Sequence, residues 1–323
     1  MALAAALAVL LAGVAGWWLW RQKQDRMILF NRLPGENVLL FYLDADRLRH
    51  AAALAPLVRQ RVEPDPDYKS FVQQTGFDYQ RDLDAAAVCY LTDRVYVLAR
   101  GRFDAARLRQ YALAQGGSCE GNGLDRPCRM PASQPGRTIS FLLISPAVLA
   151  LATAPEPDAV RQLQTTPQPN AEPLAHAAAA AGDPPPLLWA TATPAGLDRA
   201  LSDSTFLSPN LALFSRTLAG AQRAYLLVAD QSPNLQISLR AVCASEAQAG
   251  EMRRLLQGLN DLVGGIMHAP RPGKEASVWQ RVLASAAISQ EKNTVRASWT
   301  LDQTVLESFG APAGAPPGPG AGR

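Results

Sequence analysis

Cysteine is scarce in this chain, four in 323 residues, which excludes a small scaffold that relies on cross-links in place of a hydrophobic core. Charge of one sign is also lacking. The 31 basic and 28 acidic residues leave a net charge of +3, too little for the basic face with which a nucleic-acid binder displaces counterions, so no nucleic-acid partner is expected. The three histidines, His50, His176 and His268, have no ligand-spaced neighbour. The glycine-rich phosphate loops and the GxSxG nucleophile elbow are missing as well. No cofactor, metal or catalytic residue is therefore assigned. What is abundant is apolar residue, 48% of the chain, enough to bury a substantial core in about two domains.

The first long apolar run is Ala2 to Trp20, with no charged residue, which as a helix would rise roughly 28 Å, close to the thickness of a hydrocarbon core. Trp17, Trp18 and Trp20, followed by Arg21, Lys23 and Arg26, mark an aromatic belt and a basic flank at a membrane interface. Residues 2–20 are thus expected to contact a lipid bilayer as a single-pass transmembrane helix. A basic n-region is absent and "WWLW" stands where small residues precede a cleavage site, which favours a retained anchor over a signal peptide. Ala4, Ala8, Ala12 and Gly16 form a small-residue stripe, read as alanine-rich composition rather than a dimerisation face. The basic flank taken alone would hold the body in the cytoplasm, whereas paired loop cysteines fit an oxidising compartment.

Beyond the anchor, short apolar runs alternate with amphipathic stretches, and the order repeats. "ENVLLFYLDADRLRHAAAL" and "PPPLLWATATPAGLDRALSD" each read as a buried strand, a turn and a helix. Two strands around Thr92-Asp93 precede a helix opened by Asp104; two strands around "DQSPN" precede one opened by Ser245. "RTISFLLISPAVLALATAPEPDAVRQL" and "VLASAAISQEKNTVRASWTLDQTVLESF" close each copy with strand, turn, strand and helix. Leu235, Ile237, Leu239, Ala241 and Cys243 keep the period of two of a half-buried strand. Met252, Leu255, Leu256, Leu259, Leu262, Val263 and Ile266 follow helical spacing. The expected fold is α+β: an N-terminal transmembrane helix, then two similar units, each an antiparallel sheet with helices packed on one face. The expected boundaries are 1–33 for the anchor and its flank, 34–153 for the first unit, 154–186 for a Pro/Ala-rich linker and 187–309 for the second unit. Residues 310–323 are expected to be a disordered Gly/Pro/Ala tail.

At "DPDYKSFVQQTGFDYQRDLDAAAVCYL", "RGRFDAARLRQYALAQGGSC" and "CRMPASQPGRTISFLLISPAVLALA" the chain resembles a group of bacterial membrane-anchored proteins with this order of segments and no assigned activity. The most specific pieces are Thr75-Gly76-Phe77-Asp78, Asp82-Leu83-Asp84 and the cysteine loop. The resemblance implies an anchored envelope protein with a globular body and transfers no catalytic residue.

The sharpest chemistry lies in "GGSCEGNGLDRPCRM", where Cys119 and Cys128 share a glycine-rich loop. A disulfide closing that loop stabilises by roughly 2.5–3 kcal/mol on chain-entropy grounds. The alternatives are a redox pair with a thiolate favoured by Arg126 and Arg129, reduced thiols, and a zinc site short of two ligands. Cys89 and Cys243 read as buried small hydrophobes, and Trp189, Trp279 and Trp299 as core or edge aromatics. Asp78, Asp82 and Asp84 lack the glycine and closing glutamate of a calcium loop and read as turn and cap residues, as do Asp44 and Asp46.

The expectation is a non-enzymatic binding or scaffolding module anchored in the bacterial inner membrane, its body facing the periplasm and engaging a protein partner of the envelope. The alternatives are a thiol-dependent redox enzyme using Cys119 and Cys128, and a cytoplasm-facing membrane adaptor.

Overall fold

The computed structural model of the chain describes residues 29, 32–34, 39–55, 65–164, 186–196, 218, 220–268, 282 and 285–310, with the side chains of 262–268 and 308–310 left aside. The apolar run 2–20, Trp279, His176 and the tail 311–323 lie outside the described residues. Among the described residues no helix is long and apolar enough to cross a membrane.

Among the described residues twelve strands form one antiparallel sheet, the run 235–243 with its period of two among them. In chain order they are β1 Leu39–Leu43, β2 Leu83–Tyr90, β3 Val95–Gly101, β4 Ser118–Cys119, β5 Cys128–Pro131, β6 Thr138–Ser145, β7 Val148–Ala154, β8 Leu188–Ala192, β9 Ala221–Gln231, β10 Asn234–Cys243, β11 Ala287–Glu291 and β12 Thr294–Leu301. Across the sheet the order is β11-β12-β10-β9-β8-β1-β2-β3-β7-β6-β5-β4. Antiparallel sheet was expected, but two separate sheets were not formed. "LLFYL" in β1 is apolar at every position and is paired along both edges, with Tyr42 opposite Ala87 on β2 and opposite Trp189 on β8. From this β1–β8 seam the first half runs outward as β2, β3, β7, β6 and the second as β9, β10, β12, β11; the first half alone adds the β4–β5 hairpin.

The helices start where side-chain caps can hold orphan backbone N–H groups. They are α1 Ala45–His50, α2 Pro66–Thr75, α3 Tyr79–Asp82, α4 Ala105–Ala114, α5 Glu246–His268 and α6 Gln303–Gly310, with 3-10 turns at Ala52–Leu54 and Ala159–Leu163. Asp44 caps α1 through Arg47 N–H, 3.1 Å; Asp104 caps α4 through Ala106 and Arg107 N–H; Ser245 Oγ accepts from Gln248 N–H, 3.2 Å, at the head of α5. Asp46 falls inside the first turn of α1 and pairs with Arg49.

Leu108 and Ala112 of α4 pack on Phe141 and Leu143 of β6. Ala249, Met252 and Leu256 of α5 pack on Ala241, Cys243, Val295 and Ala297 of β10 and β12. Leu255, one place off this stripe, is 60% exposed, so the apolar stripe of α5 is wider than the face it buries. The opposite face of the first half is covered too, contrary to the expectation of helices on one face alone. Leu29 and Leu33, both fully buried, lie with Ala159, Val160 and Leu163 of the second 3-10 turn against Leu40, Cys89, Tyr96, Leu98 and Leu142. Arg32 donates to the Leu163 and Gln164 carbonyls at 3.0 and 2.9 Å, closing the C-terminal end of that turn.

The flank 1–33 contributes Leu29 and Leu33 to the core, and the segment assigned to a linker from Ala154 stays packed to Leu163 because Ala159, Val160 and Leu163 are buried. Residues 165–185 lie outside the described residues. Trp189 and Trp299 are buried in the sheet, as core aromatics were expected to be.

Candidate functional site

Gly76, from the segment Thr75-Gly76-Phe77-Asp78, lines an open cleft of about 450 Å³ together with Arg81 and Asp82. Its lining includes Gly76, Arg81, Asp82, Arg102, Phe103 and Asp104.

The local chain path follows from the residue types. Asp65 caps α2 and Pro66 opens it; Gly76 ends it at φ 72°, the left-handed conformation a side chain would disfavour. Thr75 Oγ1 donates to the Phe71 carbonyl at 2.7 Å and accepts from Phe77 N–H at 3.2 Å, turning the chain into α3. Asp78 caps α3 by accepting from Gln80 N–H at 2.9 Å, and the Tyr68 hydroxyl donates to the same carboxylate at 2.7 Å. Burial, with the Asp78 charge beside it, pushes the Tyr68 hydroxyl well above the usual phenol range. The Phe77 and Phe103 rings stack with centroids 4.9 Å apart.

Asp82 is 6% exposed and fully engaged. It accepts from Arg81 at 3.0 and 3.2 Å, from Asp78 N–H at 3.0 Å and from Arg102 Nε at 3.2 Å. The Arg81 hydrogen bonds, opposed by burial and aided by the Asp78 amide and Arg102, bring its carboxyl down to about 2. The close approach of β3 to α3 requires Gly101: a Cβ there would sit 2.2 Å from the Asp82 carbonyl oxygen. Arg102 N–H donates to that same oxygen at 2.9 Å, and a guanidinium nitrogen of Arg102 donates to the Arg81 carbonyl. Asp84 stands 4.0 Å from both Arg49 and Arg100. The three aspartates read as cap and turn residues thus divide: Asp78 caps, Asp84 pairs at longer range and Asp82 is the buried centre of an arginine cluster. Among the described residues no group of three or more His, Cys, Asp or Glu side chains is placed to hold a metal ion.

The cysteine loop is the β4–β5 hairpin, in which Cys119 and Cys128 are directly opposite and their sulfurs lie at disulfide distance, 1.95 Å, with Cα atoms 4.0 Å apart. Gly117 lets the hairpin lie against α4, since a Cβ there would be 2.1 Å from the Arg129 carbonyl and 2.7 Å from that of Ala112. Glu120 pairs with Arg129 and Arg161, and Arg129 also pairs with Asp158. Hydrogen bonds from Arg129 and then Arg161 hold the Glu120 carboxyl below the usual range. Arg129, which sequence reading set beside a thiolate, is engaged by carboxylates instead, and Cys128 is buried. Cys89 and Cys243 are fully buried, as expected; burial pushes the Cys89 thiol up to about 12 and raises that of Cys243. His50 is exposed, with Nδ1 2.7 Å from the Asp46 carbonyl.

Sequence reading passed over Arg102 and Gly101. The only signal was "RGRFD", which places an arginine on each side of a glycine immediately before a helix cap.

No family model matches the chain, and no curated protein matches it either. Among solved structures it is similar to crystal form IV of TP0453, at 10% identity and a TM-score of 0.46, covering 88% of this chain and 96% of that one. It is similar in the same degree to crystal form III, at 10% identity and a TM-score of 0.45, covering 87% and 96%.

Proposed function

We propose that the chain is a membrane-anchored envelope protein whose α+β body serves as a non-enzymatic binding or scaffolding module on the periplasmic side of the bacterial inner membrane. The observation that carries this reading is the burial of Leu29 and Leu33 in the sheet core with Arg32 closing the neighbouring turn. In this reading the apolar run 2–20, which ends nine residues before Leu29 in sequence, is the anchor that precedes the body. The sulfur pair of Cys119 and Cys128 supports an oxidising compartment. A redox enzyme finds less support, because Cys128 is buried and Arg129 is engaged by Glu120 and Asp158.

The body is a tandem duplication of one unit in this reading. Its support is the sheet order itself, which places the first and second copies' strands in the same sequence outward from the β1–β8 seam.

The test is labelling of intact cells with a membrane-impermeant maleimide, with and without prior reduction. Cys89 and Cys243 are buried and stay silent in the folded protein, so the signal reports Cys119 and Cys128. Labelling from outside only after reduction is expected. Protection that persists through reduction until the cells are lysed would place the body in the cytoplasm and overturn the topology.

A further inference from the structure

The cleft between α3, β3 and the head of α4 contains arginines with more N–H donors than the neighbouring carboxylates and carbonyls engage. Asp82 is buried and accepts from two guanidiniums and an amide; Asp104 is occupied by the N–H groups of Ala106 and Arg107. Each guanidinium carries five N–H donors. Asp82 takes two from Arg81 and one from Arg102, and the Arg81 carbonyl takes one more from Arg102. Donors therefore remain on both arginines, which are 68% and 65% exposed at the mouth. Arg107 lies beside them against Gly76, where a Cβ would come within 2.9 Å of its Nη1. Arg107 pairs with Asp104 at 3.6 Å and the Asp78 charge also acts on Arg81, so the three arginines are matched by three aspartates, and what the cleft offers a ligand is the exposed guanidinium N–H groups of Arg81 and Arg102. Beside this cluster the cleft offers Phe103, backed by Phe77, together with Pro146 and Ala147 as apolar lining.

We infer that this cleft binds a monoanionic carboxylate attached to a compact apolar group, the carboxylate held by Arg81 and Arg102 and the apolar part lying on Phe103. Asp82 fixes both guanidiniums before the ligand arrives, so little side-chain freedom is lost on binding. A volume of about 450 Å³ falls in the range of small-molecule sites and fits one aromatic or short aliphatic group. The inference rests on the body being a binding module and is independent of the side of the membrane it occupies.

Calorimetric titration of the full-length protein in a neutral maltoside detergent tests it. N-acetylphenylalanine, a mimic of a peptide C-terminus, and hexanoate, a mimic of a short fatty acid, supply the carboxylate from two sources; N-acetylphenylalaninamide removes the charge and replaces one acceptor oxygen by NH2. Binding of at least one acid is expected, with the amide weaker by about tenfold or more, the loss of a charge-assisted hydrogen bond. Which acid binds more tightly assigns the source. Arg81→Gln, at an exposed position, is expected to weaken the acid by about tenfold and the amide by less, since only the acid loses a charge-assisted hydrogen bond. Equal heats for acid and amide, or no binding of either acid, would overturn the inference with no variant needed. Tighter binding of phenyl phosphate than of both acids would overturn the monoanion assignment. No binding of either acid, together with capture of a partner protein through another surface, would overturn this cleft assignment and keep the binding-module reading.

Discussion

Replacing Asp82 by Asn removes the charge at the centre of the α3–β3 junction while keeping an acceptor for the Asp78 amide. The folded carboxyl sits at about 2 against 3.8 for an unperturbed aspartate. At 1.36 kcal/mol per unit that difference caps the electrostatic contribution near 2.5 kcal/mol. Both arginine partners are about two-thirds exposed, so solvent screening lowers the figure to about 1–2 kcal/mol. A depressed carboxyl stabilises the fold above its unfolded value and loses that effect as pH falls through its folded value. The penalty of Asp82→Asn should therefore be full at neutral pH and shrink between pH 3.8 and about 2. Urea unfolding followed by tryptophan fluorescence, with Trp189 and Trp299 buried in the sheet, measures both proteins across that range. A penalty of the same size at neutral pH and at the acid end would refute the electrostatic account, because only the charged form makes the difference.

Gly101→Ala should cost about 1–3 kcal/mol, since its Cβ meets the Asp82 carbonyl at 2.2 Å and neither backbone can retreat without breaking the Arg102 N–H bond; thermal melting measures it. Leu33→Ala should cost about 2–5 kcal/mol in the same assay, whereas a side chain in a solvated anchor flank would cost almost nothing. The double change Cys119→Ser and Cys128→Ser should lower stability by roughly 2.5–3 kcal/mol or less, as the Glu120 ion pairs still hold the hairpin, and hydrogen exchange of Ser118 to Pro131 should rise first. Cys89 should resist alkylation until the protein unfolds, because burial holds its thiol up to about 12; a fast reaction in the native state would contradict the packing of Pro34 over its sulfur.

The local elements were legible because their signals are local. Asp104, Asp44 and Ser245 mark helix starts by chemistry that acts within three residues, and the alternation from Leu235 to Cys243 marks a strand with one buried face. The seam was not legible, because an apolar run such as "LLFYL" shows that both faces are buried but not which strands line its two edges. Leu29 and Leu33 fall within 1–33, assigned to the anchor and its flank; their burial goes with a turn more than 120 residues later, as the contact of Arg32 with Leu163 shows. At the candidate site the cap roles were visible. The burial of Asp82 was not, since it requires Arg102 from the far end of β3 and a glycine beside it to let the backbones meet.

The seam between β1 and β8 also governs how the body comes apart. Main-chain hydrogen bonds run without a break from β11 to β4, so peeling one half away bares the edge of the most apolar ribbon in the sheet to water. Such an edge templates pairing with other chains, and partial melting is therefore the dangerous state. The two halves are expected to hold or fail together, with the middle of the sheet as the last place to open.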